Sequence, residues 1–167
     1  MKPAQIILEK YDPVWAEKYI SEKDFLLEII GQWNVGGVEH IGSTAVPNLV
    51  AKPVIDIMFG IDSLEQALPA IDVLMENGYK YWPYKADVMH WFCKPSSEHR
   101  THHLHLVPYT SALWSDQIRF RDVLLSNHEV ASQYASLKLD LALRYKDDRE
   151  AYTKNKWPFI EKLLLTL

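Results

Sequence analysis

Three groups of residues have the types and spacings from which chemistry could be built. In His40-Ile41-Gly42-Ser43-Thr44-Ala45-Val46-Pro47 a strand-like start gives way to small residues. Such a turn lets backbone N–H groups close on a bound anion. The plain alternative is a strand-to-helix turn capped by Ser43 or Thr44. Further on, Asp56 stands in Lys52-Pro53-Val54-Ile55-Asp56-Ile57-Met58-Phe59, a stretch otherwise suited to burial. A carboxylate there needs a metal or a partner such as Lys52 or an arginine, because an unpaired charge in a dry core costs several kcal/mol. Third, in Arg100-Thr101-His102-His103-Leu104-His105-Leu106-Val107-Pro108 a period of two puts His103 and His105 on one strand face and Leu104 and Leu106 on the other. If that strand lies beside the one bearing Asp56, the three side chains could share a metal. Imidazoles with one carboxylate favour zinc, nickel, manganese or iron over magnesium. Alternatively, the histidines form a satisfied polar patch with Asp56, tyrosines or backbone groups.

These residues need elements to hold them. Ile6 to Tyr11 reads as a short strand, and Asp12-Pro13 opens an amphipathic helix running to about Ile30. Val38 to Ile41 and Pro53 to Ile61 read as strands, and a helix capped by Ser63 runs to the stop at Asn77-Gly78. From Tyr79 to Pro108, aromatic and β-branched residues separated by polar turns predict an antiparallel extension of the sheet. After Pro108 the composition turns helical, with helices expected over about 113–126, 128–146 and 148–165 and Asn127 as a cap. The fold class is therefore α/β (α+β), a mixed sheet flanked by helices with a helical C-terminal third.

The 167 residues, 48% of them apolar, suit a single domain spanning 1–167. Eighteen basic and 22 acidic residues are mixed along the chain, giving a net charge of -4, so no basic stripe points to nucleic acid. Cys93 is the only cysteine and has no partner for a disulfide or a CxxC zinc site, which suits a reducing, cytoplasmic setting. No apolar run approaches the ~18 residues that a membrane helix needs, so no membrane partner is expected.

The run His40 to Pro47 followed by Ala51-Lys52-Pro53-Val54-Ile55-Asp56-Ile57 resembles the signature of the GrpB family. Tyr11 to Trp15, Arg100 to Val107, Arg119 to Asp122, Tyr134 to Leu139 and Tyr152 to Lys156 agree with it, so the resemblance covers nearly the whole chain. It implies a nucleotidyltransferase-like fold with a Gly-Ser turn after one strand and acidic residues on the next. A domain of this family is also found joined to dephospho-CoA kinase, which implies nucleotide or coenzyme A metabolism. Within the matching segments, Arg100, Arg119, Arg121, Lys138 and Lys156 are the cations that phosphate recognition would use, together with Lys52, Gly42, Ser43 and Thr44. Each cation could instead be half of a surface ion pair.

One departure bears on mechanism. Active members of the wider superfamily carry two carboxylates two residues apart on that strand, whereas Asp56 has Val54 and Met58 at those positions. Neither can bind magnesium, which takes hard oxygen ligands. The first expectation is a nucleotidyl-transfer enzyme, active or degenerate, in which Asp56, with His103 and His105, holds a divalent metal (Mg, Mn or Zn). Asp56 and Lys52 would then be the catalytic residues, with Lys52 and Arg100 clamping a nucleotide or coenzyme A-related ligand. Two alternatives stand beside it: a non-catalytic nucleotide- or coenzyme-binding module, and a metal-dependent hydrolase using the histidines. Trp82, Tyr84, Trp91, Trp114 and Trp157 are candidates for a base-stacking wall, or for core.

Overall fold

The strand bearing Asp56 becomes a central member of a five-stranded mixed sheet in the computed structural model, which describes residues 5–167. The strands are β1 (Val38–Ile41), β2 (Ile55–Ile61), β3 (Lys80–Trp82), β4 (His90–Pro95) and β5 (Arg100–Pro108), in the spatial order β1-β2-β5-β4-β3. β3, β4 and β5 form the expected antiparallel extension, and β1 is antiparallel to β2. β5 enters the sheet parallel to β2, a pairing that needs a long crossover, and residues 62–99 supply it.

Five helices flank the sheet: α1 (Val14–Ile30), α2 (Leu68–Glu76), α3 (Ala112–Ser126), α4 (His128–Arg144) and α5 (Arg149–Leu165). α1 and α2 pack on one sheet face, where Leu26, Ile30 and Leu74 meet Ile55, Ile57, Phe59, Leu104 and Leu106. Burying a side chain of this size is worth roughly 1.5–3 kcal/mol, so this face is the main anchor of the fold. The helical C-terminal part has its own apolar cluster, in which Phe120, Leu124 and Tyr134 close over Val46 and Leu49 of the loop between β1 and β2. That packing lays α4 and α5 against the turn at Gly42 and Ser43. Side-chain caps set the starts of all three C-terminal helices: Ser111 accepts from the Trp114 N–H, Asn127 from Val130 and Asp148 from Ala151.

Two expected elements differ. Residues 6–11 form no strand; Glu9 makes a single bridge to Ala51, and the Ile6 N–H bonds to the Lys146 carbonyl at 2.9 Å. The segment lies against a loop and the α4–α5 turn, neither of which offers a ladder to extend. The helix expected from Ser63 begins at Leu68 instead. Ser63 Oγ does accept from the Gln66 N–H at 3.2 Å. Pro69 falls in the first turn of α2, where its missing N–H costs no intrahelical bond.

Candidate functional site

Sheet register assembles the centre of the site. Asp56 lies opposite Ile41 on one side and His103 on the other, and His105 follows two residues along β5 on the same face. His103 Nδ1 is 2.9 Å from Asp56 Oδ1, and His105 Nε2 is 3.6 Å from the same oxygen. The partners of the carboxylate are thus imidazoles, not Lys52 or an arginine. Burial opposes the charge on Asp56, but the hydrogen bonds and charges of the two histidines outweigh it and hold the carboxyl well below the usual carboxylate range.

The same geometry tests the expected metal. Among the described residues, no group of three or more His, Cys, Asp or Glu side chains is disposed to hold an ion. Asp56, His103 and His105 do converge, but both rings close on one carboxylate oxygen. His103 is hydrogen-bonded to that oxygen, whereas His103 Nε2 and His105 Nε2 are buried without a hydrogen-bond partner. Val54 and Met58 add no oxygen.

Gly42 makes the approach of the turn to Asp56 feasible. Its φ of 72° and ψ of -176° lie in a region essentially restricted to glycine. A Cβ there would stand 2.7 Å from Asp56 Oδ2. Beyond it, Ser43–Ala45 form one turn of 3-10 helix. Thr44 is spent on structure, since its hydroxyl donates to the Val54 carbonyl at 3.4 Å and meets His40 Nε2 at 3.0 Å. His40 in turn stacks on Tyr19, and burial pushes its pKa down to about 4.

Around this centre stand four cations. Lys138 of α4 is only 2% exposed, and its Nζ donates to Ser43 Oγ at 2.8 Å and to the Val50 carbonyl. Burial first, then the charges of Lys156 and Lys52, push its pKa down to about 7. Lys156 and Lys52 both lie against the Tyr152 ring, 4.5 and 5.2 Å from its centroid. Burial and Lys52 push Lys156 down to about 8, with Asp56 opposing. Burial likewise lowers Lys52, partly offset by Asp56. Arg100 stands 5.3 Å from the Trp91 ring centroid.

All of these groups line one cavity of about 620 Å³, together with Gly42, Ser43, Asp56, His103 and His105. Trp82, Tyr84 and Trp157, each about half exposed, also line it, as does Trp91, whereas Trp114 belongs to an apolar cluster with Ile41, Met58 and Val107. Arg119 and Arg121 are not brought to the cavity. Arg119 pairs with Asp116 at 3.4 Å on the surface. Arg121 pairs with Glu39 and Asp122 and donates to the His40 carbonyl at 3.2 Å, so it ties α3 to β1 and serves the site only at one remove. Tyr134 and Tyr152 are the site residues that residue-type reasoning passed over. Their signal was present: Tyr134-x3-Lys138 and Tyr152-x3-Lys156 repeat one spacing on successive helices, which stacks each ammonium over a ring on the same helix face.

A family model described as GrpB protein matches residues 5–165. The chain belongs to the GrpB family. The glutamate-rich protein GrpB of Alkalihalophilus pseudofirmus is 34% identical over 165 residues, covering 96% of this chain and 94% of that one. A UPF0157 protein of Pseudomonas aeruginosa is 35% identical over 161 residues, covering 92% of this chain and 64% of its relative. A UPF0157 protein of Bacillus subtilis is 30% identical over 160 residues, and the match spans 96% of this chain but only 46% of that protein. Among solved structures, the conserved protein GrpB from Enterococcus faecalis superposes with a TM-score of 0.84 at 30% identity, over 96% of this chain and 98% of that one. The five-stranded sheet with its helical C-terminal part is therefore an architecture of this family.

Proposed function

We propose that the cavity binds a phosphorylated small molecule, with a nucleotide or coenzyme A-related compound as the class that fits it best. The observation that carries this reading is the charge of its lining. Lys52, Lys138, Lys156 and Arg100 share the cavity with one carboxylate, and that carboxylate is held by two imidazoles. Among the described residues, none of the four cations has a carboxylate within ion-pair distance. Concentrated positive charge in a chain of net charge -4 is costly unless an anion neutralises it. The volume falls within the ~300–1,000 Å³ of small-molecule sites. Half-exposed Trp82, Tyr84 and Trp157 at the same cavity supply π-faces for a base or another planar group.

Lys52, Lys156 and Arg100 are the phosphate ligands in this reading, because Lys138 is already bonded to Ser43 and Val50. With Val54 and Met58 beside Asp56, the lining favours binding over two-metal nucleotidyl transfer. A thermal-shift panel of ATP, coenzyme A and inorganic phosphate tests the reading, because a ligand of the folded state alone raises Tm. ATP or coenzyme A should raise Tm in wild type, and Lys156→Ala should lose most of the shift. No shift with any phosphorylated compound would reject it.

A further inference from the structure

In the phosphate-binding reading the most deeply buried cation of the cavity adds to its charge but makes no contact with the ligand. Lys138 is 2% exposed, and among the described residues no carboxylate lies within ion-pair distance of it. A buried ammonium without a counter-ion is destabilising, and a hydrogen bond to one serine repays only part of that cost. The neutral amine carries no such penalty. In that form its lone pair accepts a hydrogen bond from the Ser43 hydroxyl, whose Oγ lies 2.8 Å from Nζ, while an N–H still donates to the Val50 carbonyl. The carbonyl of Val50 thus orients the base as the base faces the hydroxyl, which is the recurring layout of an activated nucleophile. The Tyr134 ring centroid lies 5.1 Å from Nζ. Ser43 itself is only partly buried and lines the cavity alongside Lys52, Lys156 and Arg100.

We infer that Ser43 and Lys138 form a nucleophile–base pair that transfers a phosphoryl group from a phosphate ester or anhydride to Ser43 Oγ. The inference rests on the phosphate-binding reading and goes beyond it. Lys138 Nζ takes the hydroxyl proton as Oγ attacks phosphorus, the bond from phosphorus to the leaving oxygen breaks, and the leaving group departs as an anion. Lys52, Lys156 and Arg100 hold the non-bridging oxygens. Water then attacks the phosphoserine, Lys138 returns its proton to Oγ, and dihydrogen phosphate leaves. No oxidant, metal or further reactant is needed for the balance. The lowered pKa of Lys138, near 7 under the influence of burial, Lys156 and Lys52, agrees with a base that is partly neutral at physiological pH.

The test uses p-nitrophenyl phosphate and ATP with wild type, Ser43→Ala, Lys138→Met and Lys138→Arg, all checked for cooperative thermal unfolding. The expected result is release of p-nitrophenolate or of phosphate from ATP, and an acid-quenched adduct of one phosphoryl group mapped to Ser43. Ser43→Ala should abolish both. Both Lys138 variants should lose about 100-fold in rate, the usual contribution of a positioned base. Turnover in wild type should rise through pH ~7 and level off, and a flat profile would overturn Lys138 as the base. If Ser43→Ala still turns over, or if neither substrate gives turnover and no phosphoserine forms, the inference is wrong. An ATP thermal shift that survives in Ser43→Ala would then leave the binding reading standing, and no shift in wild type with ATP, coenzyme A or inorganic phosphate would remove both.

Discussion

At Asp56 two opposed effects meet, and their balance makes a prediction about acid stability. Burial favours the neutral carboxyl, and the hydrogen bonds and charges of His103 and His105 favour the anion and win. The folded pKa thus lies below the unfolded value of about 3.9. As pH falls, the unfolded chain takes up this proton first, so the stabilisation is complete above about pH 4 and drains away as pH drops toward the folded value. Urea midpoints measured across the acid range should fall less steeply in Asp56→Asn than in wild type. Equal slopes would show that the cluster does not contribute through charge. Gly42 is legible at this scale only in part: its place in a turn could be read from the sequence, but the carboxylate that a Cβ would meet 2.7 Å away belongs to another strand.

Strand β5 separates two polar clusters by the simple alternation of its side chains. His103 and His105 turn to the cavity, whereas His102 faces Glu22 of α1, with Nε2 3.9 Å from Oε2. Glu22 is 8% exposed and accepts from the Tyr79 hydroxyl at 2.6 Å and from the Lys94 ammonium at 2.5 Å. Burial pushes His102 down to about 4, and Glu22 opposes that. This second cluster fastens α1 to the sheet and takes no part in the site. Glu22→Ala leaves Lys94 and Tyr79 without their acceptor and should cost about 3 kcal/mol in urea unfolding. Any rise in Tm with ATP should be the same in this variant as in wild type. Loss of the ATP response in a folded Glu22→Ala protein would show that the two faces are coupled.

Across the whole molecule, a modest negative net charge conceals a cavity of the opposite sign. If the cavity binds a phosphorylated ligand, that contrast makes its affinity sensitive to salt and to alkaline pH. Because Lys156 is held near 8, it loses charge well below the pH at which an exposed lysine would. Affinity for ATP, followed by calorimetry, should therefore fall by about tenfold as pH rises through ~8, the size of one charge-assisted contact. It should also weaken with added salt. Affinity that holds constant up to pH ~10 would show that Lys156 does not contact the ligand.

The strands around Asp56, the face shared by His103 and His105, and the three C-terminal helices were all determined by the sequence alone. Each depends on periodicity and caps within a short stretch, as at Asn127 before α4. Pro69 was equally present in the sequence and, weighed as a residue favoured in a helix's first turn, would have moved the start of α2. What only tertiary structure decided is which cations meet. Arg121 and Lys138 are alike in charge and in lying within matching family segments, yet Arg121 closes on Glu39 while Lys138 reaches Ser43, 95 residues away in sequence. Nothing local distinguishes them, because an ion pair or a buried amine is defined by the element packed opposite. Here that element is α4, held over the Gly42-Ser43 turn by the burial of Phe120, Leu124 and Tyr134 against Val46 and Leu49.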